Sequence, residues 1–359
     1  MRTSTGTGWH LVKRSGSFSA GRGAWGSHYT SSGSDGYSLQ LVALQFSVHM
    51  FSFRYDSAIL AHPGTTPGEA VVAHLRTKPL TEDTMESVDR NAIEYRVRQA
   101  VERGEFRLYY QPQHDATTNR ILGAEALLRW HDPVTGVTEP GHFLQALEAT
   151  GLIGAVGEWA FRQAAEDCQR WQRLGLPRLR LGVNVSPSQL TREGAEVLAQ
   201  QVKDMRSCCD LQIEISCVHL VVPVEGVVGA LHTLRFAGAD IAVQHFGLDD
   251  YTHKRVWSMP VDALKIDRSF ICRMTEDPEI DDELAGMLML ARAYRLVSVA
   301  EGVETQAQCD RLRELNCDLT QGYLHAPPML ADRFEWLLRA ECFARPGYAP
   351  RTGRLAYDA

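Results

Sequence analysis

Residues Leu122–Trp130 read Leu-Gly-Ala-Glu-Ala-Leu-Leu-Arg-Trp, a mostly apolar run that contains one glutamate and one arginine. A short apolar run of this kind predicts a buried β-strand. Runs of similar length alternate with stretches of helical periodicity from residue 106 to residue 340. Because parallel strands need a crossover that is usually a helix, this alternation predicts a parallel α/β sheet. With this many strands, we expect the sheet to close into a TIM-like (β/α)8 barrel.

The predicted elements follow one another in a regular series. The predicted strands are Phe106–Pro112, Leu122–Trp130, Arg180–Val185, Leu211–Ile215, Ala239–Gln244, Ala263–Ile266, Leu296–Ala300 and Leu319–Leu324. The predicted helices are Gly141–Leu152, Gly157–Leu174, Glu193–Met205, Val224–Ala237, Asp281–Tyr294, Thr305–Leu315 and Ala331–Ala340. An open doubly wound sheet is the alternative, but no G-x-G-x-x-G turn follows the early strands, so we favour the closed barrel.

The composition is typical of a folded globular protein. The 359 residues are 44% hydrophobic and 23% charged, with a formal net charge of −7. These values exclude a fibrous or wholly disordered chain, and the negative charge argues against binding to nucleic acid. No apolar run is long enough for a membrane span, and the first residues lack the pattern of a signal peptide. The eight cysteines include no C-x-x-C pair, so we expect a cytoplasmic protein with no membrane partner.

The chain divides into segments of different composition. The predicted organisation is a disordered Gly/Ser-rich segment (1–38), a partial remnant of an upstream domain (39–80), a linker helix (81–105), the barrel (106–340) and a C-terminal tail (341–359). A start codon assigned too early, with Met50 as the true start, is a rival explanation for the first segment. Helical spacing is also predicted over Gly68–Leu75, and the linker helix is expected to end at Gly104.

Polar residues end most of the predicted strands. In a barrel of this type the reactive side chains lie at the carboxyl ends of the strands. Here those positions hold Glu125, Asn184, Glu214, Gln244, His245, Lys265, Glu301 and Gln321. A ring of carboxylates, amides, an imidazole and a lysine at one mouth suits a divalent cation together with an anionic ligand. Each residue alone is more often a solvated or capping group, so this prediction depends on their convergence.

The motifs around these residues resemble the EAL family of cyclic di-GMP phosphodiesterases, which is named for the tripeptide found here as Glu125-Ala126-Leu127. The supporting motifs, between Glu102 and Arg339, are Tyr110-Gln111-Pro112, Leu128-Arg129-Trp130, Asn184-Val185-Ser186 with Gln189, Pro260-Val261-Asp262, Leu264–Phe270, Ala300–Glu304 and Gln321-Gly322-Tyr323. The resemblance implies a barrel with a dinucleotide across its C-terminal mouth. In active members it also implies two Mg2+ or Mn2+ ions that activate a water for attack on a phosphodiester.

The sequence departs from the family pattern at the metal site. Where the family has two adjacent aspartates followed by Phe-Gly, this chain has Gln244-His245-Phe246-Gly247. The strand Glu214–Cys217 lacks the family's second glutamate, and the loop Leu248–Thr252 lacks the usual glycine. The partial metal set that remains is Glu125, Asn184 and Glu214. Because hard cations need anionic oxygen ligands, we expect at most one weakly held ion and severely impaired two-metal chemistry.

Two alternatives concern the residues near this break. A register shift that brings Asp249 or Asp250 to the metal site is disfavoured, because Phe246-Gly247 fixes the alignment. His245 is either a neutral imidazole ligand that holds a softer ion such as Zn2+ with the nearby glutamates, or a tolerated side chain at an abandoned site. We favour the second interpretation.

The positions that contact the dinucleotide in the family are largely retained. By resemblance, the ligand-binding residues are Gln111, Leu127, Arg129, Pro140, Phe143, Asp267 and Gln321. Arg129 can donate charge-assisted hydrogen bonds to a phosphate, and Asp267 can accept from a guanine edge. The structural alternatives are that Arg129 pairs with Glu125, and that Asp267 pairs with Arg268 or caps a turn.

Three functions fit these observations. We favour a receptor or regulatory module that binds cyclic di-GMP with impaired or absent hydrolysis and therefore needs no metal cofactor. The second is an active phosphodiesterase that uses Mg2+ or Mn2+ and in which Lys265 and Glu301 are catalytic. The third is a protein-interaction module that binds no nucleotide. A protein partner from a signalling pathway and a homodimer through the barrel helices are both left open.

The region upstream of the barrel carries a second, shorter resemblance. His62–Ala70 and the helix up to Glu105 are similar to the tail of a diguanylate cyclase domain and the linker that commonly precedes an EAL domain. The cyclase motif G-G-D-E-F is absent from the chain. The resemblance therefore implies a truncated or decayed cyclase-like domain.

Overall fold

The computed structural model describes residues 28–32, 38–42, 57–60, 71–74, 82–217, 226–246, 256 and 259–344. The chain divides into two compact units, Met1–Met85 and Glu86–Ala359. In the first unit, strand β1 (His28–Ser32) pairs antiparallel with β2 (Ser38–Val42), and β3 (Ser57–Leu60) pairs antiparallel with β4 (Val71–His74). The helical spacing predicted for Gly68–Leu75 is wrong over β4, which is a strand. Its consecutive valines are β-branched and fit an extended chain.

The segmentation predicted for the N-terminal region is covered only in part. Apart from β1 and Ser38, the segment 1–38 that was predicted to be disordered lies outside the described residues. Within the segment 39–80, the described residues are those of β2, β3 and β4. The interpretation of that segment as a remnant of a cyclase-like domain stays a prediction.

The second unit is an alternating series of strands and helices. Its strands are β5 (Phe106–Asp115), β6 (Ile121–Asp132), β7 (Gly136–Thr138), β8 (Arg180–Asn184), β9 (Asp210–Ser216), β10 (Asp240–Phe246), β11 (Ala263–Ile266), β12 (Val297–Glu301), β13 (Leu319–Gln321) and β14 (Met329–Leu330). The α-helices of the chain are α1 (Glu82–Arg103), α2 (Leu144–Ala149), α3 (Ile153–Arg173), α4 (Arg192–Met205), α5 (Val227–Ala237), α6 (Arg268–Ile271), α7 (Pro278–Ala293), α8 (Gln306–Glu314) and α9 (Ala331–Ala344). Short 3-10 turns lie at Pro140–His142 and Pro187–Gln189.

Eight of these strands close into a barrel. Their order is β5-β6-β8-β9-β10-β11-β12-β13, and β13 pairs again with β5, which completes the ring. The TIM-like α/β barrel predicted from the sequence is therefore confirmed. Strand β7 pairs with β6. Strand β14 pairs with β5, with Met329 opposite Tyr110 and Leu330 opposite Tyr109. The predicted strand Ala263–Ile266 has the observed bounds of β11.

Strand β5 breaks the expected parallel pattern. It pairs antiparallel with both β6 and β13, whereas the other neighbouring strands of the ring run parallel. The connection between β5 and β6 is the turn 116–120, which is too short for the crossover that a parallel pair needs. The side chain of Asp115 accepts from the backbone N–H groups of Thr117 and Thr118 and fixes this turn. The prediction of a fully parallel sheet is therefore wrong at its first strand.

Local sequence signals set the ends of several helices. The predicted helix Gly141–Leu152 is shortened to α2, because Gly151 adopts a left-handed conformation with φ of 72° and separates α2 from α3. Thr305 begins α8 with a capping box, in which its side chain accepts from the backbone of Gln308. Helix α1 ends beside Gly104, which has φ of 63°. No helix of the described residues is long and apolar enough to cross a membrane.

Alternation along the strands separates an apolar outer face from an inner face that carries polar side chains toward the strand ends and a small apolar cluster, including Ala242, Val299 and Leu319, nearer the strand starts. Leu211 and Ile213 of β9 pack in the large hydrophobic cluster with Leu198 of α4. Since successive side chains point to opposite faces of a strand, Glu214 points into the barrel. The same alternation places on the inner faces Gln111, Glu125, Asn184, Gln244, Lys265 and Gln321. The fold therefore concentrates polar side chains from many strands inside one mouth.

Candidate functional site

The centre of the site is a buried lysine surrounded by carboxylates. Lys265 is fully buried, and its Nζ lies 2.8 Å from Glu125 Oε2, 2.6 Å from Glu214 Oε2 and 2.8 Å from Glu301 Oε1. The three glutamates come from β6, β9 and β12, so this one ammonium group joins four strands of the barrel. The charge of these carboxylates holds the pKa of Lys265 well above its ordinary value despite burial. Lys265 therefore remains an ammonium ion inside the barrel.

Glu125 is the most completely hydrogen-bonded of the three acids. Its Oε1 accepts from Asn184 Nδ2 at 2.8 Å, and its Oε2 accepts from Gln321 Nε2 at 2.8 Å as well as from Lys265. Burial alone would raise its pKa, but the charge of Lys265 and these hydrogen bonds outweigh burial and lower the pKa to about 2. Glu125 is therefore a permanent carboxylate.

Glu214 and Glu301 have the opposite electrostatic character. Burial and the nearby charge of Glu125 raise the pKa of Glu214 to about 8, against the opposing effect of Lys265. Burial also raises the pKa of Glu301. The Glu214 side chain lies over Gly182, where any Cβ would overlap Oε1. Glycine is thus required on β8 for Glu214 to reach the centre of the site.

The end of β10 supplies a neutral amide and a histidine to the site. Gln244 Nε2 donates to Glu214 Oε2 and, at 3.5 Å, to Glu125 Oε1. The next residue, His245, has φ of 57°, a left-handed conformation that is uncommon for a residue other than glycine. Its Nδ1 lies 3.1 Å from Ser216 Oγ, and its carbonyl oxygen accepts from the thiol of Cys217 at 2.9 Å.

The predicted ligand-binding residues fall into two groups. Gln111 and Gln321 belong to the network, since Gln321 Nε2 donates to Gln111 Oε1 at 3.1 Å. Leu127 and Arg129 follow Glu125 on the same face of β6. Arg129 Nη2 lies 3.4 Å from Glu139 Oε1, so the suggested structural pairing with Glu125 is wrong.

The other predicted contacts lie at the rim or in the core. Pro140 starts the 3-10 turn that follows β7, and Phe143 is 1% exposed and packs against Phe106 and Trp130. This packing assigns Phe143 a role in the core whatever its relation to a ligand. Asp267 caps α6, and its Oδ1 accepts from Ser269 N at 2.8 Å, as the turn-capping alternative predicted.

Two polar residues of the site were missed by the sequence analysis. Gln113 Nε2 donates to Gln321 Oε1 at 3.0 Å, and Ser216 binds the ring of His245. Gln113 could have been found, because it lies two residues after Gln111 on the same face of β5. Ser216 carried no signal, since a serine at the end of a strand is common. Asp249 and Asp250, considered as replacement metal ligands, lie outside the described residues.

The described residues contain no group of three or more histidine, cysteine, aspartate or glutamate side chains arranged to hold a metal ion. Glu125, Glu214 and Glu301 converge, but the ammonium group of Lys265 lies between them. The arrangement is thus a buried salt-bridge cluster bordered by amides. Its chemical capacity is to present hydrogen-bond donors and acceptors to a polar ligand at the mouth.

An eight-stranded barrel with this acid–lysine cluster at its mouth defines the class of protein. Residues 94–328 match the model of the EAL domain family, and the chain belongs to this family. The curated relatives from Pseudomonas aeruginosa include two phosphodiesterases. The bifunctional diguanylate cyclase/cyclic di-GMP phosphodiesterase MucR is 33% identical over 66% of this chain and 35% of its own length. The cyclic di-GMP phosphodiesterase RocR is 32% identical over 65% of this chain and 60% of its own length.

Solved structures give the same picture. The solved structure of the MucR phosphodiesterase in complex with c-di-GMP matches with a TM-score of 0.62 and 32% identity, covering 68% of this chain and 99% of that one. The EAL domain of Mycobacterium smegmatis DcpA matches with a TM-score of 0.55 and 31% identity, covering 66% of this chain and 98% of that one. This chain spans between 30% and 60% of the length of the curated relatives it matches.

Proposed function

We propose that this chain is a regulatory module that binds cyclic di-GMP without hydrolysing it. The observation that carries the proposal is the end of β10, where Gln244 and His245 replace the two adjacent aspartates expected from the family resemblance. Membership of the EAL family supports cyclic di-GMP as the ligand. The similarity to the solved complex of the MucR phosphodiesterase with c-di-GMP supports it further.

The acids of this site do not fit a centre of two divalent cations. Lys265 contacts three glutamates within 2.8 Å, so an entering ion would have to displace the ammonium group or share its ligands. The summed charge of these glutamates and the lysine is far too small to balance two divalent ions. Gln244 offers only an amide, which is a weak ligand for Mg2+ or Mn2+. A reaction that needs both ions is therefore not expected.

The mouth of the barrel retains groups that suit an anionic dinucleotide. Arg129 lies on the inner face of β6 beyond the cluster, and its partner Glu139 has a side chain that is 68% exposed. An ion pair with an exposed partner contributes little free energy, so Arg129 can exchange Glu139 for a phosphate at small cost. Gln111 of β5 and Asp267, which follows β11, supply polar groups for a base.

The proposal is tested by isothermal titration with cyclic di-GMP in EDTA, followed by incubation with Mn2+ and chromatography of the nucleotide. We expect binding in the chelator and no linear product. Arg129→Ala should weaken binding about tenfold or more, since a charge-assisted contact is lost. Arg333→Ala, which removes an exposed arginine of α9, is the matched control and should leave binding unchanged.

Other outcomes would replace the proposal by one of its alternatives. Absence of binding would favour an interaction module that recognises no nucleotide. Formation of linear product with Mg2+ or Mn2+ would favour an active phosphodiesterase in which Lys265 and Glu301 are catalytic. Homodimerisation through the barrel helices and a signalling partner are proposals that analytical ultracentrifugation and affinity capture would address separately.

Restoring the two acids tests the assignment of β10 directly. The double variant Gln244→Asp/His245→Asp adds adjacent carboxylates, so it should tighten Mg2+ binding and raise hydrolysis above the level of the natural chain. Metal titration and the chromatographic assay measure these quantities. Gln244→Asn, which keeps an amide, is the control and should change neither. If the double variant also changes neither, Gln244 and His245 are not the positions that abolish the metal site.

A further inference from the structure

His245 lies in a backbone conformation that its side chain does not favour. Its φ of 57° falls in the left-handed region, which glycine adopts readily and a β-carbon disfavours. The strand pairing between β10 and β11 shifts register between Val243 and Phe246, so His245 lies in an irregular segment of β10. Non-glycine residues held in such conformations cluster at functional sites. The conformation of His245 therefore calls for a functional explanation.

Two contacts hold this residue in place. The thiol of Cys217 donates to the backbone oxygen of His245, and Ser216 Oγ lies 3.1 Å from ring atom Nδ1. If the Ser216 hydroxyl donates to Nδ1, the neutral imidazole carries its proton on Nε2. Among the described residues, no partner engages Nε2. In this tautomer the half-buried ring is oriented through Nδ1 and retains a donor on Nε2.

The neighbouring cluster does not itself supply a free donor for a phosphodiester anion. The single ammonium of Lys265 is balanced by the surrounding acids Glu125, Glu214 and Glu301, so the cluster offers no net positive charge to a phosphodiester anion. All three lysine contacts are made with these acids, so Arg129 of β6 is left to serve a dinucleotide that carries two phosphodiester groups. A metal-free site therefore needs a further donor at the strand ends, where β10 places His245.

We propose that His245 is a ligand-contacting residue whose Nε2 donates a hydrogen bond to a phosphodiester oxygen of the bound dinucleotide. Ser216 is its positioning residue. The inference rests on the proposed function, because it concerns how the same site binds a phosphodiester without metal. It differs from both earlier interpretations of His245, which made it a zinc ligand or a side chain without a role.

The test uses a substitution that separates binding from stability. His245→Gly removes the imidazole but keeps the backbone oxygen that Cys217 contacts, and glycine suits the left-handed backbone. We expect the affinity for cyclic di-GMP in EDTA to fall about tenfold or more, since a hydrogen bond to a charged group is lost. The thermal unfolding midpoint should stay the same or rise. His245→Asn, which also tolerates this backbone and keeps a donor, should lose less affinity.

Arg295→Gly is the matched control. Arg295 is an exposed residue with φ of 59°, located between α7 and β12 and away from the strand ends that form the site. It should show the same stability change with unaltered affinity. Ser216→Ala should weaken binding less than His245→Gly, because the ring remains but is no longer oriented.

The outcomes distinguish the inference from the proposed function. If the natural chain does not bind cyclic di-GMP, the proposed function fails before His245 is tested. If the natural chain binds and His245→Gly binds equally well, the proposed function stands and the inference is wrong. If His245→Gly loses stability together with affinity and His245→Asn does the same, the imidazole is structural and the inference is again overturned.

Discussion

The interior cluster around Lys265 and the end of β10 lie side by side in the barrel but differ in how their polar groups are satisfied. In the cluster, one ammonium group contacts three carboxylates and the amides of Asn184 and Gln321 add hydrogen bonds. At the end of β10, a neutral amide precedes a histidine with a strained backbone. In the cluster, the polar groups are satisfied by one another. At the end of β10, His245 retains a donor for a ligand.

This difference indicates which positions of the site can be substituted at small cost in stability. Removing one member of a buried charge cluster leaves its partners uncompensated, so substitution within the cluster is costly to stability. Gln244 and His245 lie next to the cluster rather than at its centre. Substitution there alters what the site can bind without removing the charges that hold the strands together.

The largest effect should come from removing the central charge. Lys265→Met leaves Glu125, Glu214 and Glu301 facing one another without a cation, and breaking a buried charge network of this kind costs about 3–5 kcal/mol. Chemical denaturation at neutral pH measures this loss. Lys203→Met, on the exposed face of α4, is the control and should change stability by less than about 0.5 kcal/mol. Equal stabilities of Lys265→Met and Lys203→Met would show that the cluster contributes no more to stability than an exposed lysine.

A smaller loss is expected from crowding the cluster. Gly182→Ala adds a Cβ that would overlap Glu214 Oε1, so the glutamate must move away from Lys265. Overpacking of a buried site costs about 1–3 kcal/mol, and chemical denaturation again measures it. Gly286→Ala, in the middle of α7 with open space around it, is the matched control and should stabilise the protein slightly. If Gly182→Ala had the same stability as the natural chain, Glu214 would be able to move away from the added Cβ without a cost to the cluster.

The sequence predicted the architecture better than the contacts. The bounds of β11 follow from a short apolar run, and the convergence of Glu125, Glu214 and Lys265 follows from their places at the ends of parallel strands. The antiparallel direction of β5 depends on the length of one turn. That length was available, but the repeated strand–helix pattern of the rest of the chain outweighed it.

Other features could not be read from the sequence because they depend on tertiary packing. The left-handed conformation of His245 is not set by its local sequence, since histidine adopts this conformation more often than most residues but still only in a small minority of cases. The burial of Phe143 against Phe106 and Trp130 depends on how the turn at Pro140 returns to the barrel. The pairing of Arg129 with Glu139 likewise arises from the position of β7, which was not predicted.

The smallest predicted effect is a dependence of stability on pH. Burial raises the pKa of Glu214 from 4.5 to about 8, so between these values the folded protein retains a proton that the unfolded chain has released. Stability therefore falls as the pH rises through this window. Glu214→Gln removes the titration, so its stability relative to the natural chain should increase between pH 6 and pH 7 by about 1 kcal/mol. Glu283→Gln, on the exposed face of α7, controls for loss of a carboxylate. Denaturation curves for the three proteins at both pH values measure the effect. A constant difference between Glu214→Gln and the natural chain would mean that Glu214 is already ionised. The cluster would then carry one more negative charge and would repel an anionic ligand.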